Sequence, residues 1–221
     1  MQLRNITLIS TEHRESRKCN SEELYKILEK INPDVIFEEE ADDENYKKYY
    51  TEENIFTSLE IKCIKKILQN HHISHIPVDI KSNFNYREWD YMFDTFKSYD
   101  IYKETLKEHC FLRDIYGFNY LNSMKCSALL FKTKKIEEQL IEFSGLKKSV
   151  LLQIYKSFHK EHQNRENGML QNIFNYCKLN QFNQGVFLLG FAHRKSIIEK
   201  IENLQTTNEI KLNWKFYEGQ T

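Results

Sequence analysis

The stretch Gly185–Arg194, GVFLLGFAHR, decides the fold. Its apolar residues Val186–Leu189 lie between two glycines, which is typical of a short buried strand. His193 follows shortly after Gly190, and a helical pattern begins beyond it. In open sheets of parallel strands, ligands bind outside the carboxyl ends of the strands. We therefore expect His193 to lie at a ligand-binding edge.

The amino-terminal part of the chain has the same arrangement. The segment Leu3–Ile9 predicts a first strand, and the sequence STEH, Ser10–His13, follows it directly. A helix with one apolar face is then expected after the capping residue Asn20. The segment Asp34–Phe37 predicts a second strand, which ends in Glu38–Glu40. A strand, a helix and a strand within about 40 residues favour parallel strands.

The next part of the chain predicts a loop, a helix and a third strand. We expect the polar segment Asp42–Asn54 to be a loop, and Thr57 with Glu60 to cap the helix that follows. The segment Ile73–Ile80 predicts the third strand, and Pro77 argues against a central position for it because proline cannot donate to the sheet.

Residues 82–184 carry charged and aromatic residues at helical spacing, with separate apolar faces at Val150–Phe158 and at Met169–Cys177. The alternation in Glu209–Tyr217 predicts a half-buried edge strand. The expected fold is therefore α/β, with a mostly parallel central sheet flanked by helices. Residues 1–221 form one domain, and residues 82–184 form a helical insertion or cap between the third strand and the last βα unit.

Composition narrows the functional class. The 221 residues carry a formal net charge of zero, which argues against the basic face that nucleic-acid binding normally needs. No apolar stretch is long enough to span a membrane, and the chain enters a strand almost at once. We expect a cytoplasmic protein without a targeting segment, with reduced thiols at Cys19, Cys63, Cys110, Cys126 and Cys177.

Polar side chains follow several of the predicted strands, namely His13, Glu39, Asp79 and His193. In a parallel sheet these groups gather along one edge. Two histidines and a carboxylate can hold a divalent metal with an open position for water. They can equally transfer protons without a metal. Both routes lead to hydrolysis of an ester or amide bond.

The three consecutive glutamates cannot share one role. Alternation along the strand places Glu39 on one face with Val35 and Phe37, and Glu38 and Glu40 on the other face. We prefer Glu39 as the site residue, with Glu38 as the second candidate.

Further candidates lie near these residues in the sequence. Arg165 precedes an apolar helix face, and a guanidinium suits a developing oxyanion, a carboxylate or a phosphate. Asn164, Glu12 and Arg14 are secondary candidates, as is Asp79. His159 and His162 are spaced to share a metal on a helix, but no carboxylate set completes such a site, so we expect a solvated face.

In this order the motifs resemble those of the TraB/Tiki superfamily, which includes TraB/PrgY, GumN-like, Tiki, erythromycin esterase-like and ChaN-like proteins. The two GxxH-like motifs are Ser10–His13 and Gly190–His193, and the PDVxxxE strand is Pro33–Glu39. The arginine-bearing helix start is Arg165–Met169. The resemblance covers residues 3–204. It departs from the family where Ser10 replaces the first glycine and where the asparagine after the arginine is displaced by one position.

The resemblance implies an α/β fold in which His13, Glu39, Arg165 and His193 cluster. It also implies hydrolytic activity, which in some branches depends on a metal. The expected activity is that of a hydrolase acting on a small molecule or peptide. His13 or Glu39 activates water, His193 ligates a metal or donates a proton, and Arg165 stabilises charge. One divalent ion, Mn, Co or Zn, would bind His13, Glu39 and His193.

Two other functions stay open. The chain could be a non-catalytic module that binds a small ligand in the same pocket. It could also be an interaction protein whose aromatic segment Tyr91–Tyr120 docks a partner or a second copy, because large exposed apolar patches mark interfaces.

Overall fold

The computed structural model describes residues 4–52, 55, 57–82, 85–205 and 212–218. The described strands are β1 (Arg4–Thr11), β2 (Val35–Ala41), β3 (Ser74–Asp79), β4 (Gln184–Gly190) and β5 (Leu212–Phe216). They form one sheet in the order β3-β2-β4-β1-β5, and all described strand pairs are parallel. The predicted α/β fold with a parallel central sheet is confirmed. Leu3 and the segment Glu209–Lys211 of the predicted strands lie outside the described residues.

Helices connect and cover these strands. The described α-helices are α1 (Ser21–Ile31), α2 (Glu44–Thr51), α3 (Leu59–Leu68), α4 (Tyr86–Lys97), α5 (Asp100–Tyr116), α6 (Phe118–Leu121), α7 (Met124–Glu142), α8 (Lys148–Leu179) and α9 (Arg194–Gln205). In the described part of the chain, none of them has the length and apolar character that a membrane crossing requires.

The apolar run Val186–Leu189 lies in the central strand of the sheet, β4. Residues Val186–Leu189 of β4 are at most 1% exposed, and β4 pairs with β1 on one side and β2 on the other. The first two strands are therefore parallel, as expected, but β4 lies between them. Pro77 lies on β3 at one edge of the sheet, which agrees with its missing donor.

Two helical layers bury the faces of the sheet. Helices α8 and α9 cover one face, which carries Val35, Phe37 and Phe187. The other face, which carries Ile36 and Val186, packs against α1, α3 and α5–α7. We call the first cluster the sheet core. Because the side chains of β2 alternate between the two faces, its successive glutamates also diverge.

A further apolar cluster lies away from the sheet. Residues of α4, α5 and α7 pack there against the first half of α8, around Trp89, Phe96 and Leu151. We call this cluster the cap core and its helices, α4, α5 and α7 with the first half of α8, the cap. The second half of α8 contributes Met169 and Ile173 to the sheet core. One helix thus joins the cap to the sheet.

The two helices predicted within residues 150–177 are one helix of 32 residues, α8. The residues between the two apolar faces contain no proline, and Gly168 does not interrupt the helix. A Cβ at Gly168 would lie 2.4 Å from Cγ2 of Ile80. The glycine therefore lets α8 approach the end of β3, which brings Arg165 to the edge of the sheet.

Two local predictions are wrong. Residues 44–51, expected in a loop, form α2, because the Asp43 side chain accepts hydrogen bonds from the backbone N–H groups of Asn45 and Tyr46. The cap of α3 is Ser58 and not Thr57, since the Ser58 hydroxyl accepts from the N–H of Ile61.

Candidate active site

The predicted site residues approach one another at the carboxyl ends of the strands. Glu39 comes from β2, Asp79 from the end of β3, and His193 from the 3-10 turn after β4. Arg165 reaches the same edge from α8. Together with Glu166, which makes contact with His193, these residues form what we call the Arg165 network.

Glu39 is held at both of its oxygens. Its Oε1 accepts a 2.7 Å hydrogen bond from Nη2 of Arg165, and its Oε2 accepts a 2.6 Å bond from the backbone N–H of Gly190. A Cβ at Gly190 would lie 3.0 Å from that Oε2, so glycine permits the close approach. Burial raises the pKa of Glu39, but His193, His13 and Arg165 outweigh it, and the carboxylate stays ionised.

Asp79 fixes Arg165 from the opposite side. Its Oδ2 accepts from Nε and Nη2 of Arg165 at 2.9 and 2.6 Å, and its Oδ1 accepts from the N–H of Ile80 at 2.8 Å. The side chains of Glu39 and Asp79 are 5% and 8% exposed. The guanidinium therefore compensates two buried carboxylates, as charge-assisted hydrogen bonds can.

His193 is held as a cation. Its Nδ1 lies 2.8 Å from Oε1 of Glu166, and its Nε2 lies 3.4 Å from Oε1 of Glu39. Burial lowers the pKa of His193, but the contacts with Glu166 and Glu39 outweigh it and raise the pKa to about 9. Glu166 also accepts from the hydroxyl of Ser196 at 2.5 Å. Sequence reasoning missed Glu166, although it directly follows Arg165.

The expectation of a solvated face at His159 and His162 is wrong. Both are partly buried, and the His162 ring stacks on His193 with centroids 4.7 Å apart. Burial lowers the pKa of His162 to about 3, and the positive charges of His193 and Arg165 add to this. His162 is thus a neutral ring against a charged one. Aromatic residues of the cap, Phe158 among them, pack around His159 and His162.

His13 lines a small pocket on the other side of Glu39. We call it the His13 pocket; its walls are Thr11, His13, Glu38, Glu39, Glu40, Ser58, Glu60, Ile61 and Leu188. The His13 side chain is 56% exposed, and its Nδ1 lies 3.5 Å from Oε1 of Glu60. An open cleft adjoins it, lined by His13, Arg14, Glu15, Thr57, Leu59 and Lys62. Glu39 thus belongs to the Arg165 network and also lines the His13 pocket.

Two groups of the His13 pocket have unusual acidity. The contact with Glu60 raises the pKa of His13 to about 9, although desolvation opposes it. Desolvation raises the pKa of Glu40 to about 7, and the carboxylates of Glu38, Glu60 and Glu39 add to this while His13 opposes it. At neutral pH the pocket thus holds a protonated histidine and a glutamate near its midpoint.

The other secondary candidates have separate partners or face solvent. Glu38 accepts hydrogen bonds from the hydroxyls of Tyr46 and Tyr50 and lies 3.0 Å from Nδ1 of His75. Glu12 pairs with Arg113 at 2.7 Å. Arg14 and Asn164 are exposed. None of these four residues makes a described contact with the Arg165 network.

The expected metal ligands do not fit a metal ion as they are arranged. Both oxygens of Glu39 accept hydrogen bonds, and His193 has carboxylates or Arg165 at both ring nitrogens. In the described part of the chain, no group of three or more His, Cys, Asp or Glu side chains could hold a metal. The site with Mn, Co or Zn on His13, Glu39 and His193 stays a prediction.

The raised pKa of His193 predicts a loss of stability in alkaline solution. This pKa rises from 6.5 to about 9 on folding, so the stabilisation is complete below pH 6.5 and is lost as the pH rises through about 9. We expect the loss to be on the order of 2–3 kcal/mol. Urea unfolding at about pH 6 and pH 10 measures it. His193→Gln should remove this part of the dependence, and an equal pH dependence in both proteins would contradict the assignment.

Comparisons with known proteins do not decide the family. The chain has no match among protein-family models, curated proteins or solved structures. Membership of the TraB/Tiki superfamily therefore stays a prediction that the motifs carry.

Proposed function

We propose that the protein is a hydrolase of an ester or amide bond in a small molecule or peptide, with the reaction at the mouth of the His13 pocket. One observation carries this proposal. The half-exposed His13 and Glu40, whose pKa burial raises to about 7, line the same pocket as Glu39, which Arg165 and Gly190 hold in place. Acids and bases that titrate near the working pH are the groups that proton-transfer catalysis needs.

Each residue then has a definite role. Glu40, with a pKa of about 7, takes a proton from the attacking water. His13, with a pKa of about 9, is protonated at neutral pH and gives a proton to the leaving group. Both oxygens of Glu39 are engaged, so we assign the water to Glu40 rather than to Glu39. Arg165 and His193 act as positioning residues that keep Glu39 ionised and fixed.

A second candidate is a non-catalytic module that binds a small ligand. A groove between α7, α8 and the start of α9 combines aromatic side chains, including Phe131, Phe158 and Phe191, with a larger number of polar and charged ones. Glu166 of the Arg165 network lines it, and so does His162, which stacks on His193. Clefts that combine apolar walls with polar groups are typical of ligand sites. This groove supports the binding of a small ligand, whether or not His13 takes part in catalysis.

A panel of ester, anilide, peptide and phosphoester substrates tests the proposal. We expect turnover of an ester or amide, and a loss of about 100-fold or more in kcat for His13→Ala, because general acid catalysis contributes about this much. His72→Ala is the matched control, since His72 is an exposed histidine outside the site. Turnover that survives in His13→Ala would contradict the assignment. Ligand binding without any turnover would support the second candidate.

A further inference from the structure

Glu60 is a buried carboxylate whose oxygens form no hydrogen bond of normal geometry in the described part of the chain. The residue is 7% exposed, and the groups near enough to lower its pKa, His13 and the Thr11 hydroxyl, lie outside that geometry. Its nearest cation is Nδ1 of His13 at 3.5 Å, which is an ion pair and not a hydrogen bond. Leaving a buried acceptor without a donor destabilises the fold, and more so when the acceptor is charged. Glu60 therefore has the capacity to accept from a bound molecule.

A second acceptor lies in the same pocket. The Oγ1 of Thr11 is buried and forms no hydrogen bond of normal geometry with a described residue, although the hydroxyl lies near enough to Glu60 to lower its pKa, and Thr11 is 1% exposed. The two groups come from different elements, since Thr11 ends β1 and Glu60 lies in the first turn of α3. Their convergence on the His13 pocket is a tertiary arrangement and not a local turn.

The pocket is negatively charged around these groups. Burial raises the pKa of Glu60, but His13 outweighs it, so the carboxylate is ionised. Glu39 and Glu40 line the same walls, and His13 is the basic side chain among the lining residues. Because these carboxylates outnumber the one histidine, the pocket favours a cation over a neutral or anionic ligand.

Size narrows the kind of cation. The pocket has room for a group about the size of one water molecule. A primary ammonium is this small and carries three N–H donors, whereas a guanidinium is broad and planar. The apolar walls Ile61 and Leu188 suit the carbon that bears the ammonium. The number of donors, the charge and the size therefore all favour a primary ammonium group.

We propose that the His13 pocket binds the primary ammonium group of an amine-bearing ligand through Glu60 and Thr11. The rest of the ligand extends past the half-exposed His13 into the open cleft. This inference rests on the proposed function where it names the substrate class, which is an ester or amide with a free amine next to the scissile bond. Amine binding itself does not depend on hydrolysis.

Binding of methylammonium to the full chain tests the site directly. Calorimetry or ligand-observed NMR at constant ionic strength should detect it. Tetramethylammonium has the same charge but has no N–H and is too large, so we expect it to bind at least about tenfold more weakly. Equal binding of both cations would show attraction by charge alone, and no binding of methylammonium would show that the pocket holds solvent only. Either result would overturn the proposal.

Two variants identify the acceptors. Glu60→Gln should weaken methylammonium binding about 10- to 100-fold, because hydrogen bonds to charged groups are strong. Glu44→Gln is the control, since it removes the same charge from an exposed position on α2. Thr11→Val should also weaken methylammonium binding, and it provides the test if Glu60→Gln does not fold. Unchanged affinity in a folded Glu60→Gln or Thr11→Val variant would refute the assignment.

Hydrolysis assays separate this inference from the proposed function. The test measures turnover of alanine p-nitroanilide and of its N-acetyl derivative, which lacks the charged amine. Preference for the free amine that disappears in Glu60→Gln supports both ideas. Equal turnover of the two substrates would refute the free amine as a feature of the substrate while leaving the hydrolase in place. Methylammonium binding without turnover would retain the ammonium site and refute the hydrolase.

Discussion

Arg165→Ala is expected to lower the free energy of unfolding by about 3–5 kcal/mol, because it leaves buried charges without a partner. The guanidinium donates to Glu39 and Asp79, whose side chains are 5% and 8% exposed. The backbone N–H groups of Gly190 and Ile80 each reach only one oxygen of these carboxylates. Glu39 also keeps its contact with the His193 cation at 3.4 Å, whereas the described hydrogen bonds of Asp79 would then come only from the N–H of Ile80, so a buried carboxylate is left poorly compensated.

Thermal and urea unfolding measure this effect. For a domain of this size, about 3–5 kcal/mol corresponds to a fall in Tm of roughly 6–20 °C. Arg87→Ala is the control, since Arg87 is exposed on α4 and its removal should cost less than about 0.5 kcal/mol. Arg165→Lys should fall between the two, because lysine keeps the charge but not the planar set of donors. If Arg165→Ala lowers the free energy of unfolding by less than about 1 kcal/mol, Arg165 is not the main partner of the two buried carboxylates.

Glu40→Gln is expected to lower kcat by about 100- to 10,000-fold while leaving the protein folded, since it removes the proposed base. Glutamine has nearly the same shape, and the burial that raises the pKa of Glu40 to about 7 disfavours the charge that is lost. The variant should therefore unfold at a Tm no lower than that of the wild type. Glu44→Gln, an exposed change of the same kind, should retain full activity.

The pH profile of kcat/KM adds a signature that a structural role would not produce. Glu40 must be ionised, so activity should rise as the pH passes about 7, and His13 must be protonated, so activity should fall above about 9. Glu40→Gln should remove the acidic limb from the residual activity. An acidic limb that persists unchanged in this variant would assign the base to another group.

The sequence predicts the sheet well because its strands are encoded locally. Short apolar runs such as Val186–Leu189 form strands, and polar residues follow them where the chain leaves the sheet. Alternation along β2 also separates Glu39 from Glu38 correctly in space. Glu39 meets Arg165 on the face of α8, whereas Glu38 meets tyrosines of α2.

The pairing of charges is harder to predict because it depends on contacts between distant elements. Glu60 meets His13 only because α3 packs across the end of β1, and no periodic pattern marks this contact. Glu166 meets His193 because α8 continues without a break past the edge of the sheet. The acidity of Glu40 depends on the summed burial and charge around it. These features are set by tertiary packing and not by local spacing.

Because the interior is divided into a cap core and a sheet core, intrinsic tryptophan fluorescence can report on each core separately. The chain has two tryptophans, and Trp89 lies in the cap core while Trp214 lies in the sheet core. Both are at most 9% exposed, so the emission of each shifts to longer wavelength when its own surroundings admit water. Replacing either one with phenylalanine leaves a single fluorophore that reports on the other core. Intrinsic fluorescence can thus distinguish opening of the cap from unfolding of the sheet without any attached dye.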